Sequence, residues 1–218
     1  MNSTNIKNFL EQRLEHLKSS TAENYTRNFS AMVDSLKNNN ISISVDKEIF
    51  NSFVKEVKAK DTSSVEIFRA VSNFQSLQDN LFQRHEMSAV LAEIQYQMGY
   101  RISEAIEVIK NFKEYFNRSS MQLKGVKGKG GREYIPKEIS KELVGKIENI
   151  ENKISKSTYD KDLRKEGIKS HDLRISFAKN KYEREIEKDS SYKETFANTS
   201  KELNHNRGDI TQYYLNRA

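Results

Sequence analysis

The chain has 218 residues, room for one or two domains, and carries 37 basic against 31 acidic side chains for a net charge of +6. It contains no cysteine, which excludes a disulfide framework, a thiolate metal site and a cysteine nucleophile. No apolar run approaches a membrane span and Met1 to Ser20 lacks a signal-peptide core, so a cytoplasmic protein with no membrane partner is expected.

A single proline, Pro136, eight glycines and an apolar share of 35% point to helices that bury narrow stripes and keep charged faces wet. Ile6, Phe9, Leu10, Leu14 and Leu17 recur at helical spacing and predict a first helix. Ser20 or Thr21 caps a second, which turns Tyr25, Phe29, Met32, Val33 and Leu36 to one face and ends at Asn38-Asn39-Asn40. A third begins near Asp46 and buries Ile49, Phe50, Phe53, Val54 and Val57. A fourth follows Thr62-Ser63-Ser64 and carries Ile67, Phe68, Val71, Phe74 and Leu81. These four helices make a small bundle over residues 1–84, and Gln83-Arg84-His85-Glu86 marks the boundary to a second domain, 85–218.

In the second domain Met87, Val90, Leu91, Ile94 and Met98 mark a helix closed by Gly99, and Ile102, Ile106 and Ile109 drive another. Between Arg118 and Pro136 the character changes. Met121 to Val126 alternates with period two, Gly128-Lys129-Gly130-Gly131 is a turn, and Arg132-Glu133-Tyr134-Ile135 reads as the returning strand of a β-hairpin with Lys129 at its tip. Ile139, Leu143, Ile147, Ile150 and Ile154 restore a helix. A central helix follows near 171–185, with Ser170 as its N-cap, Leu173 and Phe177 turned inward and His171 and Arg174 turned outward. A short helix starts at Ser200, and the last residues hold Tyr213 and Tyr214. The expected fold is mainly α with a small antiparallel β-sheet.

Charge is uneven. Residues 1–84 hold 11 basic and 10 acidic side chains, and the remainder holds 26 and 21. That excess of +5 favours a polyanionic partner, although a solvated basic surface accounts for charge alone equally well.

Several residue groups have the chemistry of a phosphate site. His171 and Arg174 lie three apart on one helix, so both can reach one ligand: a guanidinium clamps two oxygens and an imidazole donates or shuttles a proton. Arg101 opens a helix with Glu104 placed to orient its guanidinium; a surface arginine beside a helix-start glutamate is the plainer alternative. Lys129 sits among glycines that let backbone approach a phosphate, but the run lacks the spacing of an NTP-binding loop, and a solvated hairpin tip has the same sequence. His205 lies in Leu203-Asn204-His205-Asn206 at a helix end, where a structural polar contact is the commoner role. No two histidines have metal-ligand spacing, so neither a metal nor a cofactor is expected. Tyrosine can attack phosphorus when a base and a positive field assist its ionisation, which makes the Tyr213-Tyr214 pair either packing or a nucleophile.

Taken in order, these pieces resemble the tyrosine recombinase family of phage-type integrases and Xer-type recombinases. Met98-Gly99-Tyr100-Arg101-Ile102-Ser103-Glu104 resembles its first arginine box, and Gly128 to Pro136 its lysine hairpin. His171-Asp172-Leu173-Arg174 is similar to its His-x-x-Arg box, Leu203-Asn204-His205 to its Leu-Gly-His, and the family's tyrosine falls at Tyr214. Residues 4–82 resemble its N-terminal four-helix, SAM-like core-binding domain through Asn24-Tyr25 with Phe29 and Ala70-Val71-Ser72 with Phe74. The chain departs from the pattern in three ways. The segment before Arg101 is short, Asn204 replaces a glycine, and only Leu215 to Ala218 follow Tyr214.

The resemblance implies site-specific cleavage and rejoining of double-stranded DNA through a 3′-phosphotyrosyl intermediate on Tyr214. Arg101 and Arg174 would stabilise the phosphate, His205 would donate a further hydrogen bond, His171 would be the base, and Lys129 would protonate the leaving 5′-oxygen. It also implies a homo-oligomer on DNA, a dimer at one site and a tetramer in synapsis. Two alternatives keep the same residues: a non-catalytic DNA-binding protein on this fold, and a type IB topoisomerase.

Overall fold

The computed structural model describes residues 3–14, 16–60, 69–151, 153–188 and 190–218. The described residues form a mainly helical chain with one small three-stranded antiparallel sheet. It divides into two compact units, Met1–Val65 and Glu66–Ala218.

The first unit contains α1 (Ser3–Leu14), α2 (Ser19–Asn38) and α3 (Glu48–Lys60). Ile6, Leu10 and Leu14 of α1 meet Ala22 and Val33 of α2 and Phe50, Phe53 and Val57 of α3 in one apolar cluster. The buried stripe of α2 runs through Ala22, Thr26 and Val33. Tyr25 and Met32, expected inside, are exposed by 57% and 45%. Thr26 is fully buried and its hydroxyl donates back to the Ala22 carbonyl at 2.8 Å, which satisfies it inside the stripe. Α lysine, Lys18, takes the N-cap position expected of Ser20 or Thr21.

The expected fourth bundle helix is the largest correction in this region. Its first half, including Ile67 and Phe68, lies outside the described residues. The rest is α4 (Phe74–Arg84), started by the Asn73 side chain, which accepts from Ser76 N at 3.0 Å. Leu77 and Leu81 of α4 belong to the core of the second unit, so the expected boundary at residue 84 instead falls after Val65. An amphipathic stripe reports that a helix has a partner but does not name it.

The second unit is built on α5 (Glu86–Met98), which is buried almost all round. Gly99 ends α5 with φ of +67°, and a Cβ there would lie 2.4 Å from Phe177 Cδ1, so both conformation and space demand glycine. Then come α6 (Ile102–Lys110), α7 (Phe112–Tyr115), β1 (Phe116–Asn117), β2 (Gln122–Leu123) and β3 (Lys137–Glu138). β2 pairs antiparallel with both neighbours, Phe116 opposite Leu123 and Leu123 opposite Lys137. The laddered strand of the return is therefore Lys137–Glu138, beyond Pro136, while the expected return at Arg132–Ile135 is present only as one antiparallel bridge below the Lys129 tip. Over that stretch Tyr134 N to Val126 O (2.8 Å), Gly128 N to Arg132 O (2.8 Å) and a bridge between Lys127 and Glu133 pair the backbone, and Gly125 N donates to Glu133 Oε1 at 3.1 Å. Gly125, Gly130 and Gly131, all at positive φ, break the ladder there.

The expected helix from Ile139 to Ile154 is shorter, α8 (Lys141–Glu148), and is capped by Ser140. A helix absent from the sequence reading follows, α9 (Lys156–Lys165), capped by Ser155. Next come α10 (Ser170–Ile186), α11 (Tyr192–Glu202) and α12 (Gly208–Leu215). The short helix expected from Ser200 is thus two helices, with Ser200 near the end of the first. Among the described residues no helix is long and apolar enough to cross a membrane.

Candidate active site

The site lies where the C-terminal end of α5, the starts of α6 and α10, the Gly128–Tyr134 loop and α12 converge within the second unit. Arg101 precedes α6. Its backbone N–H donates to Glu104 Oε2 at 2.7 Å and its Nη1 to Glu104 Oε1 at 3.0 Å, so Glu104 fixes both main chain and guanidinium. Tyr134 reaches in from the loop: its hydroxyl accepts from Arg101 Nη1 (3.2 Å) and donates to Glu104 Oε2 (2.6 Å). The same oxygen accepts from Arg174 Nη1 at 3.1 Å, which makes Tyr134 the bridge between the two arginines. Burial pushes its phenol up to about 12, so it stays protonated.

Arg174 is fully buried, contrary to the outward orientation expected from the helix pattern. The five N–H groups of a guanidinium are matched by five acceptors: Gly99 O, Leu203 O, Tyr134 Oη (3.1 Å), His205 Nε2 (3.1 Å) and, through Nε, Tyr214 Oη (3.2 Å). No carboxylate is among them, so its charge is left to act on whatever enters. Ser170, expected as the cap of α10, is instead its first residue and accepts from Gln95 Nε2 at 3.0 Å. Lys169 is the N-cap, and the Asp172 side chain accepts from Lys169 N at 2.8 Å.

Tyr214 is buried, with its ring centroid 4.7 Å from that of His171 and 5.0 Å from that of His205. Its hydroxyl lies 3.4 Å from His171 Nδ1. The phenol can donate to His171 Nδ1 when that nitrogen is the unprotonated one of the neutral imidazole. His171 is held down to about 4, by burial first and then by Arg174 and Arg69, and is neutral at pH 7. His205 is held down to about 3, by burial and then Arg174 and Arg101. Because arginine only donates, His205 Nε2 accepts, and its proton sits on Nδ1, 2.9 Å from Thr211 Oγ1. Tyr213, by contrast, is 42% exposed, with the Arg217 guanidinium 3.8 Å from its ring centroid.

Five of the six expected site residues, Arg101, His171, Arg174, His205 and Tyr214, thus converge. Lys129 does not join them. It is exposed at the loop tip and makes no hydrogen bond or ion pair among the described residues. Its neighbour Gly128 does touch the site, where a Cβ would lie 3.2 Å from the Tyr134 ring and 3.3 Å from Glu104 Oε1. Asn204 adopts φ of +54°, and its Nδ2 donates to Arg132 O at 2.9 Å. It keeps the left-handed turn and adds a tie to the lysine loop.

A cavity of about 450 Å³ opens beside the cluster, lined by Arg101, His171 and Arg174 and by Lys156, Arg164 and Lys169. Burial first and neighbouring arginines second depress both histidines, and the cavity lining sets five cations against one carboxylate, Asp160, so the local field is positive and suits an anion. Among the described residues no group of three or more His, Cys, Asp or Glu side chains could hold a metal ion.

Sequence reasoning missed Tyr134, Gln95 and Lys137. Gln95 ties Tyr100 O (3.1 Å), Ser170 Oγ (3.0 Å) and the Tyr159 hydroxyl (2.8 Å) together, joining α5, α9 and α10. Lys137 donates to Glu202 O at 2.8 Å and pairs with the Glu202 carboxylate, fastening β3 to the end of α11; burial lowers its ammonium to about 8. The alternation of Val126 and Tyr134 on the hairpin was the available signal for Tyr134; nothing local marks Gln95 or Lys137. No protein-family model, curated protein or solved structure matches this chain.

Proposed function

We propose that the second unit is the catalytic domain of a tyrosine recombinase that cleaves and rejoins duplex DNA. The observation that carries this is the Tyr214 hydroxyl, buried between Arg174 Nε at 3.2 Å and a neutral His171 at 3.4 Å. A phenol there has a base for its proton and a guanidinium for its developing charge. A phosphodiester entering the adjoining cavity would meet Arg101 and Arg174. Tyr214 Oη attacks phosphorus, its proton passes to His171 Nδ1, and the bond to the 5′-oxygen breaks to leave a 3′-phosphotyrosyl ester. The leaving 5′-oxygen takes a proton from Lys129, brought in by the glycine-rich loop. Attack by a 5′-hydroxyl reverses the step. Bound as a dimer on one site and a tetramer in synapsis, the chain would exchange strands between duplexes.

Phosphate binding has to displace contacts made in the free protein. Every Arg174 N–H is already engaged, so non-bridging oxygens replace Tyr134, His205 or Tyr214 as acceptors. His205 can donate to the phosphate only after its proton moves from Nδ1 to Nε2 or a second proton binds. The experiment is incubation with nicked duplexes of candidate sites, followed by detection of a denaturation-resistant adduct. Wild type and Tyr213→Phe form it; Tyr214→Phe binds DNA and forms none. The position of Lys129 away from the cluster favours the second reading, a DNA-binding protein without catalysis; it predicts duplex binding with no adduct from any variant.

A further inference from the structure

The nucleophile helix α12 is fastened to the start of α10 by residues 69–71, a segment with no part in the chemistry above. Arg69 N donates to Arg217 O at 2.8 Å, just beyond α12. The Arg69 guanidinium pairs with the Asp172 carboxylate, whose residue adjoins His171 and whose side chain also accepts from Lys169 N at 2.8 Å. Val71 N donates to Ser176 Oγ at 2.8 Å, and that hydroxyl donates on to Asp172 O at 2.9 Å. Ala70, Leu215 and Ala218 pack together on the cluster of Ile175, Phe177, Ala178, Leu203 and Tyr214. Both ends of the His171–Tyr214 contact are therefore tied to the same three residues. The Arg69 and Asp172 side chains are only 24% and 8% exposed, so water screens the pair little.

We propose that Arg69 is a positioning residue, which latches α12 to the first turn of α10 and so holds Tyr214 against His171 and Arg174 before any substrate arrives. This rests on the reading of Tyr214 as nucleophile, but the latch can be observed without that chemistry. The cation is also placed to keep His171 unprotonated, which preserves the base.

The test uses the full chain with 3-fluorotyrosine in place of Tyr214, followed by fluorine NMR. The parent should give one signal displaced from that of free fluorotyrosine. Arg69→Ala should shift it toward the free position or broaden it, and Arg69→Lys should restore most of the displacement by remaking the ion pair. Asp172→Asn, which can still accept from Lys169 N, should act like Arg69→Ala and serves if the alanine variant does not fold. With unlabelled protein, Arg69→Ala should slow adduct formation by about 10- to 100-fold, the scale of a small misplacement of reacting groups, at unchanged duplex affinity. A fluorine signal unmoved by both Arg69→Ala and Asp172→Asn overturns the latch. A moved signal with no adduct from wild type on any duplex supports the latch and instead overturns the nucleophile reading.

Discussion

Arg174 sets the character of the site because burial leaves it no water to fall back on. Each of its N–H groups has a protein acceptor, and three of these, Tyr134, His205 and Tyr214, are neutral side chains that a phosphate oxygen can replace. Lys129 is the opposite case, an exposed ammonium on a loop of glycines that must travel to act. If it is the general acid, Lys129→Ala slows cleavage by roughly 10²- to 10⁴-fold. A substrate with sulfur in place of the leaving 5′-oxygen needs no proton and restores most of that loss, while giving no comparable rescue to Arg174→Ala. Equal rescue of both variants, or of neither, would remove Lys129 from the reaction. His205 gives a stability prediction. Its folded value of about 3 lies below the ordinary 6.5, so between these pH values the unfolded chain binds more protons and stability falls with acidification. Urea midpoints should drop from about pH 7 to about pH 5, and His205→Gln should be less stable at the higher pH but lose less on going to the lower. An undiminished drop in that variant would contradict the assignment.

At the scale of elements, Gly99 shows how a helix end places a buried guanidinium. Its left-handed turn directs its carbonyl to Arg174 and leaves room for the Phe177 ring. Gly167 has a similar φ, +72°, with nothing within 4 Å of an added Cβ. Gly167→Ala should therefore cost only the conformational term of about 1–2 kcal/mol. Gly99→Ala should cost roughly 1–3 kcal/mol more from overpacking and displace the Arg174 acceptor as well. Equal losses in chemical denaturation would refute the packing argument. Gly99 as a helix stop was legible in the sequence because its chemistry is local, as was the pairing of Arg101 with Glu104. The start of α10 was legible only to within a residue, since Lys169 and Asp172 cap it in place of Ser170. Helix α9 was overlooked although Ser155 caps it and Tyr159 and Leu163 are spaced for burial; a mean hydropathy set by its many charged residues hid two apolar anchors. The inward turn of Arg174 could not be read at all. A helix pattern assigns arginine to water unless the acceptors are known, and these come from residues 29 to 75 positions away.

For the whole molecule, moving the division to residue 65 leaves the charge argument intact: residues 66–218 hold 28 basic and 23 acidic side chains, the same excess of +5. Part of that charge lines the cavity through Lys156, Arg164 and Lys169 beside the two arginines. Duplex affinity should fall steeply with salt, and Lys156→Ala and Arg164→Ala should each reduce the salt slope by about one. A slope unchanged in both variants would place the phosphates elsewhere. The central claim is that Tyr214 becomes covalently joined to DNA, and the identity of the modified residue tests it most directly. Trypsin cuts after Arg207 and Arg217, so an adduct trapped on a nicked duplex yields a peptide, Gly208 to Arg217, containing both Tyr213 and Tyr214. Fragmentation mass spectrometry of that peptide should place the nucleotide on Tyr214. Attachment to Tyr213 or to any other residue, or duplex binding with no adduct at all, would contradict the account.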